Sequence, residues 1–384
     1  MKKFVLFIFA FVALAGCVYE FDPVIRVDET SGLVVEGDIL IGDTTRITLS
    51  SIEPLSGENV NQVRGWVWVE DDSGNEYHPE FMGSSNSFNI DMTKASPDRQ
   101  YRLRIRLAAP VNGSSTFYSS SWRDVQKAPA IDDLSYTYEA DDYNSDPFVH
   151  LWLSLSSQEG SGCFRWDFEE IWEYHADSLA KYYYDVSTDR VRSYDGEIPP
   201  LYWCWAYAGS TQAGLAIAKS TGGERISGYG IYDINRRDRR MQSMYYIKLK
   251  ARNISEECYE YLHSIEVNST STGSLSQPDP SQIIGNITCD DDPLEVVYGY
   301  IEASRVSIKE MFIPSLYIAP ADYAGELPKP PPMEGLGLMT RLEAYEMGLR
   351  PNDTPNHWVS KQCVECTELG GTKNKPSFWP TSNE

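Results

Sequence analysis

The sequence predicts a mainly β protein: an N-terminal immunoglobulin-like β-sandwich, then a second, larger antiparallel β domain with one short helix, then an extended C-terminal tail. Three observations carry that expectation. Apolar and polar residues alternate with a period of two, most clearly in Tyr101-Arg102-Leu103-Arg104-Ile105-Arg106-Leu107, which places the apolar set and the arginines on opposite faces of a strand. The 25 Tyr, 13 Phe and 10 Trp favour half-buried pleated surfaces. From about Pro314 the chain is rich in Pro and Gly, including Lys329-Pro330-Pro331-Pro332, and reads as extended.

The first element is a leader. Lys2 and Lys3 precede twelve uninterrupted apolar residues, Phe4 to Ala15, the pattern of a secretory signal. A helix needs about 20 apolar residues to span a bilayer, so this stretch is too short for a lasting anchor. It closes in Leu14-Ala15-Gly16-Cys17, which resembles the lipobox of bacterial lipoproteins. That resemblance implies cleavage before Cys17, diacylation of its sulfur and acylation of the new amine. Residues 1–16 are therefore expected to be a signal peptide and residues 17–29 a lipidated tether. At about 0.8 kcal/mol per buried methylene, two or three acyl chains hold a protein at a membrane where one does not.

Residues 33–41 and 63–69 read as strands, the second leading into the turn Asp72-Ser73-Gly74-Asn75. Short strands at this spacing, without helical segments between them, suggest a sandwich over residues 30–128, with Ala128-Pro129 at its end. The second domain, residues 129–313, opens with a strand over 131–139 and the alternating run from Phe148 to Leu155. Further strands are expected at 164–174, 201–207, 225–234, 243–251 and 296–304. Its helix has Ser255 as cap, Glu256 and Glu257 in the first turn, and an apolar stripe of Cys258, Tyr261, Leu262 and Ile265. Residues 314–384 form the tail, with a second helix at 338–347.

The formal net charge is −23, and loss of Lys2 and Lys3 with the leader takes it to −25. So acidic a chain is repelled by phosphate, which argues against nucleic acid and against anionic headgroups as partners. Neither a G-x-S-x-G elbow nor an H-E-x-x-H helix is present. Glu169, Glu170 and Glu173 include a candidate carboxylate pair for glycoside cleavage, although acids between aromatics on an exposed strand are the commoner case. No enzyme and no cofactor are expected. The acid runs Asp141-Asp142 and Asp290-Asp291-Asp292 lack a calcium loop's glycine and distal glutamate and read as solvated turns. Arg236-Arg237-Asp238-Arg239-Arg240 is expected at a hairpin tip, where it would meet an acidic partner if it has a function. Trp203 and Trp205 share one strand face, for inter-sheet packing or for stacking a ligand.

Besides Cys17 there are six cysteines: Cys163, Cys204, Cys258, Cys289, Cys363 and Cys366. An even number in an exported chain suggests disulfides, with fifteen possible full pairings. Cys363-Val364-Glu365-Cys366 lies outside the strand-to-helix setting that activates a thioredoxin-like thiol. His357, Cys363 and Cys366 form a runner-up zinc set, but a lone CxxC lacks the second half of a zinc motif, so structural bridges are the primary expectation.

Several short stretches, taken in order, resemble the DUF4249 family of Bacteroidota lipoproteins. They are Cys17 with its lipobox; Leu33-Val34-Val35-Glu36-Gly37; Ser255 to Tyr261 with Leu262; Gln277-Pro278 leading to Gly285-Asn286-Ile287; Tyr298-Gly299-Tyr300 followed by Ser304; and the closing Cys363-Val364-Glu365-Cys366, Gly370-Gly371-Thr372 and Lys375-Pro376-Ser377-Phe378-Trp379-Pro380. The family has no assigned activity. Its members are typically encoded beside TonB-dependent outer-membrane receptors, so the resemblance implies an outer-membrane, lipid-anchored accessory or substrate-binding partner of such a transporter. The alternative is an independent β-sandwich envelope enzyme, a glycan or peptide hydrolase, or an adhesin.

Overall fold

A computed structural model describes residues 32–51, 63–80, 86–111, 116–139, 146–157, 162–209, 216–270, 285–292, 295–318, 333–334 and 339–380. The signal peptide, Cys17, the tether, Asp141-Asp142, Gln277-Pro278 and Lys329 to Pro332 lie outside the described residues. The chain is mainly β, with largely antiparallel sheets stacked around two large apolar cores.

The first core lies between two sheets. One runs Val297–Tyr298, Leu33–Glu36, Thr44–Ser51, Ser87–Asp91. The other runs Ile287–Cys289, Phe117–Ser120, Gln100–Leu107, Gly65–Asp71, Glu76–Tyr77. Alternation sets the facing: Tyr101, Leu103, Ile105 and Leu107 are buried with Leu33, Ile47, Leu49, Phe88 and Ile90, which leaves Arg102, Arg104 and Arg106 outside. The sandwich is not contiguous in sequence. Residues 287–305, expected in the second domain, supply edge strands to both sheets and place Ile287, Cys289, Val297, Ile301 and Ala303 in the first core.

Two strands expected to be continuous are each broken, and for the same reason. Residues 33–41 divide into Leu33–Glu36 and Ile39–Ile41, and residues 296–304 into Val297–Tyr298 and Ala303–Arg305. Gly37 (φ 136°) and Gly299 (φ 148°) sit in the gaps, in conformations that disfavour a side chain. The halves pair in parallel, Leu33 with Val297 and Ile39 with Ala303, so both chains turn together. A methyl at Gly299 would lie 2.4 Å from the Val35 carbonyl oxygen, and one at Gly37 would lie 2.3 Å from that of Arg46.

The second core lies between the sheet Ala130–Tyr138, Phe148–Ser156, Arg225–Asn235 and the sheet Trp203–Gly209, Cys163–His175, Tyr245–Ile254, Ser307–Ile313. Val149, Leu151, Leu153 and Leu155 face Phe164, Trp166, Phe168, Ile247 and Leu249. The expected helix spans Glu256–Thr270; the Ser255 hydroxyl accepts from the Cys258 amide at 3.2 Å.

Charged groups join the two bodies. Asp38, just past the Gly37 turn, accepts from Arg165 at 2.8 Å and from Arg252 Nε at 2.9 Å; Arg252 also bonds Asp167 at 2.5 Å. Asp43 takes Lys250 at 2.6 Å. Beside them, fully buried Glu302 accepts from Arg123 Nε at 3.0 Å and from the Ser255 amide at 2.9 Å. Asp38 and Arg252 are each 4 % exposed, so their charges depend on one another.

The C-terminal segment is more structured than its composition implies. Thr340 and Glu343 form a capping box at the start of the helix Arg341–Glu346, inside the expected 338–347. Met333–Glu334, His357–Ser360 and Leu349–Pro351 make a small sheet, and Trp358 and Ala344 close over Tyr184. Backbone bonds from Lys181 to Asn352, from Ser178 to Cys363 and from Cys366 to Leu201 fasten the segment to the second body.

Candidate docking face

The cysteines separate into one bridge and four thiols. Cys204, on a strand of the second body, is joined to Cys366 of the C-terminal segment across 162 residues. Tyr174 donates its hydroxyl to the Cys366 carbonyl at 2.8 Å beneath the bridge. The other candidates stay as thiols: Cys163, Cys258 and Cys289 are buried and Cys363 is half-buried. Cys289 belongs to the first core, Cys163 and Cys258 to the cluster under the helix, and Cys363 to the C-terminal segment, so three separate clusters hold them. There they pack as small apolar side chains. Burial, helped by the Asp177 carboxylate, pushes the Cys363 thiol up, away from the range of a reactive thiolate.

The runner-up zinc set is not assembled. Cys366 has given its sulfur to Cys204, and His357 Nδ1 is engaged by Asp353. Among the described residues no group of three His, Cys, Asp or Glu side chains is placed to hold an ion.

The carboxylates do not converge either. Glu170 and Glu173 are three residues apart on an unbroken ladder, which puts them on opposite faces of the strand Cys163–His175. Glu170 faces the second core, where burial pushes its pKa up against the Tyr245 hydroxyl and Arg240. Glu173 accepts from Ser243 at 2.7 Å on the far side, and Glu169 is exposed. The basic run is likewise occupied by its own fold. Arg236 is buried and donates to the Leu316 and Glu139 carbonyls; Arg239 pairs with Asp177, and Arg240 with Asp238. The run is not a hairpin tip: the strands before and after it, Arg225–Asn235 and Tyr245–Ile254, belong to different sheets. The connection between them carries a 3-10 turn, Arg239–Met241, and of the four arginines Arg237 is the exposed one. Trp205 packs in a core with Ile171, Tyr246 and Trp379, and Trp203 lies edge-on to His175.

What the structure does assemble is a surface on the outer side of the first sandwich. Its rows follow from the register. Trp66 opposes Arg106, which opposes Phe117; Trp68 opposes Arg104, which opposes Ser119; Glu70 opposes Arg102. The Arg106 guanidinium lies 5.4 Å from the ring centres of both Trp66 and Phe117, Arg104 lies 5.9 Å from Trp68, and Arg102 lies 4.5 Å from Trp122. Trp66 is 41 %, Phe117 37 % and Trp122 36 % exposed. Two of the three arginines have carboxylate partners: Arg102 with Glu70 at 2.9 Å and Arg104 with Asp290 at 3.2 Å. Among the described residues Arg106, itself exposed, has no carboxylate partner.

The arginine half of this face is legible in the alternation of residues 101–107. The tryptophan half was missed, although Gly65-Trp66-Val67-Trp68-Val69 carries its own signal: aromatics alternate with buried valines. Only the strand register shows that these rings stand beside the arginines.

The fold and this surface define a two-core β protein with an open aromatic and cationic face. By sequence it belongs to the family described as a domain of unknown function, DUF4249, which matches residues 18–310. The match takes in the first core and nearly all of the second, and stops before the disulfide-held C-terminal segment. No curated protein matches the chain.

Proposed function

We propose that the protein is a non-catalytic, lipid-anchored protein of the bacterial outer membrane that works as an accessory or substrate-binding partner of a TonB-dependent transporter. The observation that carries this reading is the open face of Trp66, Arg106 and Phe117, because Trp, Phe and Arg are the side chains enriched where proteins dock. The lipobox at Cys17 and the family setting support the location and the kind of partner. Among the described residues no helix is long and apolar enough to cross a membrane, so in this reading the acyl chains supply the attachment. Affinity purification of the tagged wild-type protein from detergent-solubilised native membranes tests it. A TonB-dependent receptor should be recovered in near-stoichiometric amount. Recovery of the lipoprotein alone, under conditions that keep other receptor complexes whole, would count against the reading.

A further inference from the structure

We propose that the face carrying Trp66, Trp68, Arg106 and Phe117 is the docking surface itself, and that its occupant is a carboxylate-bearing segment of a second protein. The inference rests on the partner reading above and names the site and the chemistry of what binds there.

Charge argues first. In a chain of net charge −23, the half-buried arginines of this sheet, Arg102 and Arg104, are already matched by Glu70 and Asp290. Among the described residues Arg106 has no carboxylate partner, and its guanidinium lies between two exposed rings. A guanidinium presents a planar fork of donors that fits a carboxylate through two parallel bonds. Rings on either side keep water from the pair and strengthen it. A second copy of the chain also carries carboxylates, but each copy repels the other through its own −23. A different protein is the better fit.

Shape argues second. The surface is the outer side of three paired strands, so a regular register sets the side chains in rows before a partner arrives. The guanidinium contacts restrain rings that would otherwise lose rotamer freedom on binding. A sugar platform needs bare ring faces, and here the faces of Trp66 and Phe117 are turned to Arg106. A patch of Trp, Phe and Arg whose rings are already engaged by guanidinium matches a protein surface better than a glycan.

Photo-crosslinking tests this. Benzoylphenylalanine is placed at Arg64 and Thr288, both exposed at the rim of the face, and at Ile308, exposed on the second body. Crosslinks are formed in native membranes and the joined peptides identified by mass spectrometry. Positions 64 and 288 should join one peptide of a second protein that contains Asp or Glu, with Ile308 giving under a tenth of that yield. Arg106→Glu should lower the yield at least tenfold, and Arg106→Lys by less. Equal crosslinking from Ile308, a product with another copy, with the chain's own tether or with a glycan only, or a yield unaffected by Arg106→Glu would overturn the proposal. If Arg106→Glu still recovers the receptor at wild-type yield in the affinity purification, this inference falls and the partner reading stands. If the wild type recovers no receptor, both fall.

Discussion

At the scale of single residues, Asp38 and Arg252 show how burial turns an ordinary ion pair into a structural requirement. Each is 4 % exposed, and Asp38 holds both Arg165 and Arg252 across the junction of the two bodies. Removing one partner of such a pair leaves the other's charge desolvated, a loss of about 3–5 kcal/mol. Asp38→Ala should therefore lower the unfolding free energy by about that much in urea titration. Asp38→Ala with Arg252→Met should lose less than the sum of the two single changes, since the two residues share one interaction and its loss is counted in both. A single-mutant loss under about 1 kcal/mol would mean the junction is screened like a surface pair. None of this was legible in the sequence, where Asp38 is one acid among many. Its role comes from the turn at Gly37, which swings it toward strands more than a hundred residues away.

Among the elements, regular alternation was the most readable signal. The strand Gln100–Leu107 and the strand Phe148–Ser156 lie where the period-two pattern puts them, because each has one face in a core. What the pattern could not show was where a strand stops. Val35, Gly37 and Ile39 read as one alternating run, and only a neighbouring strand turning at Gly299 makes the break at Gly37 stable. The C-terminal segment was misjudged for the converse reason. Its Pro and Gly suggest extended chain, yet long-range partners order it: Cys366 on Cys204, and Trp379 against Ile171, Trp205 and Tyr246. A bridge closing so long a loop contributes roughly 2–5 kcal/mol by restricting the unfolded chain. Reduction, or Cys204→Ala with Cys366→Ala, should lower the unfolding midpoint and open residues 339–380 to limited proteolysis before the β cores are cut. Identical midpoints and cleavage patterns with and without reductant would contradict the bridge, and non-reducing peptide mapping locates it directly.

Over the whole molecule, the chain crosses between its two bodies more than once. It leaves the first sandwich near residue 128, builds the second core, returns through residues 287–305 to complete the first, and goes back to add the strand Ser307–Ile313 to the second. A contiguous two-domain division could not represent that path, because strands contributed from afar leave no boundary signal in composition. Several of the stretches that carry the family resemblance meet along it. Gly285 packs against the Gly299 carbonyl, Asn286 exchanges hydrogen bonds of 2.8 Å with the Ile301 backbone, and Tyr261 lies 5.6 Å from Tyr300. Those motifs build the return of the chain, while the aromatic and cationic face lies on another surface and none of them marks it. For that face to meet an outer-membrane partner, the body has to be held at the membrane, and in the proposed reading Cys17 is the anchor. Fractionation of cells producing wild-type or Cys17→Ser protein, with the intact mass of the recovered chain, is the direct measurement. The wild type should partition with membranes, beginning at an acylated Cys17, and Cys17→Ser should be released or remain uncleaved with its leader. A signal-cleaved, monomeric Cys17→Ser protein still retained by membranes as fully as the wild type would contradict the anchor, and the placement of the docking face with it.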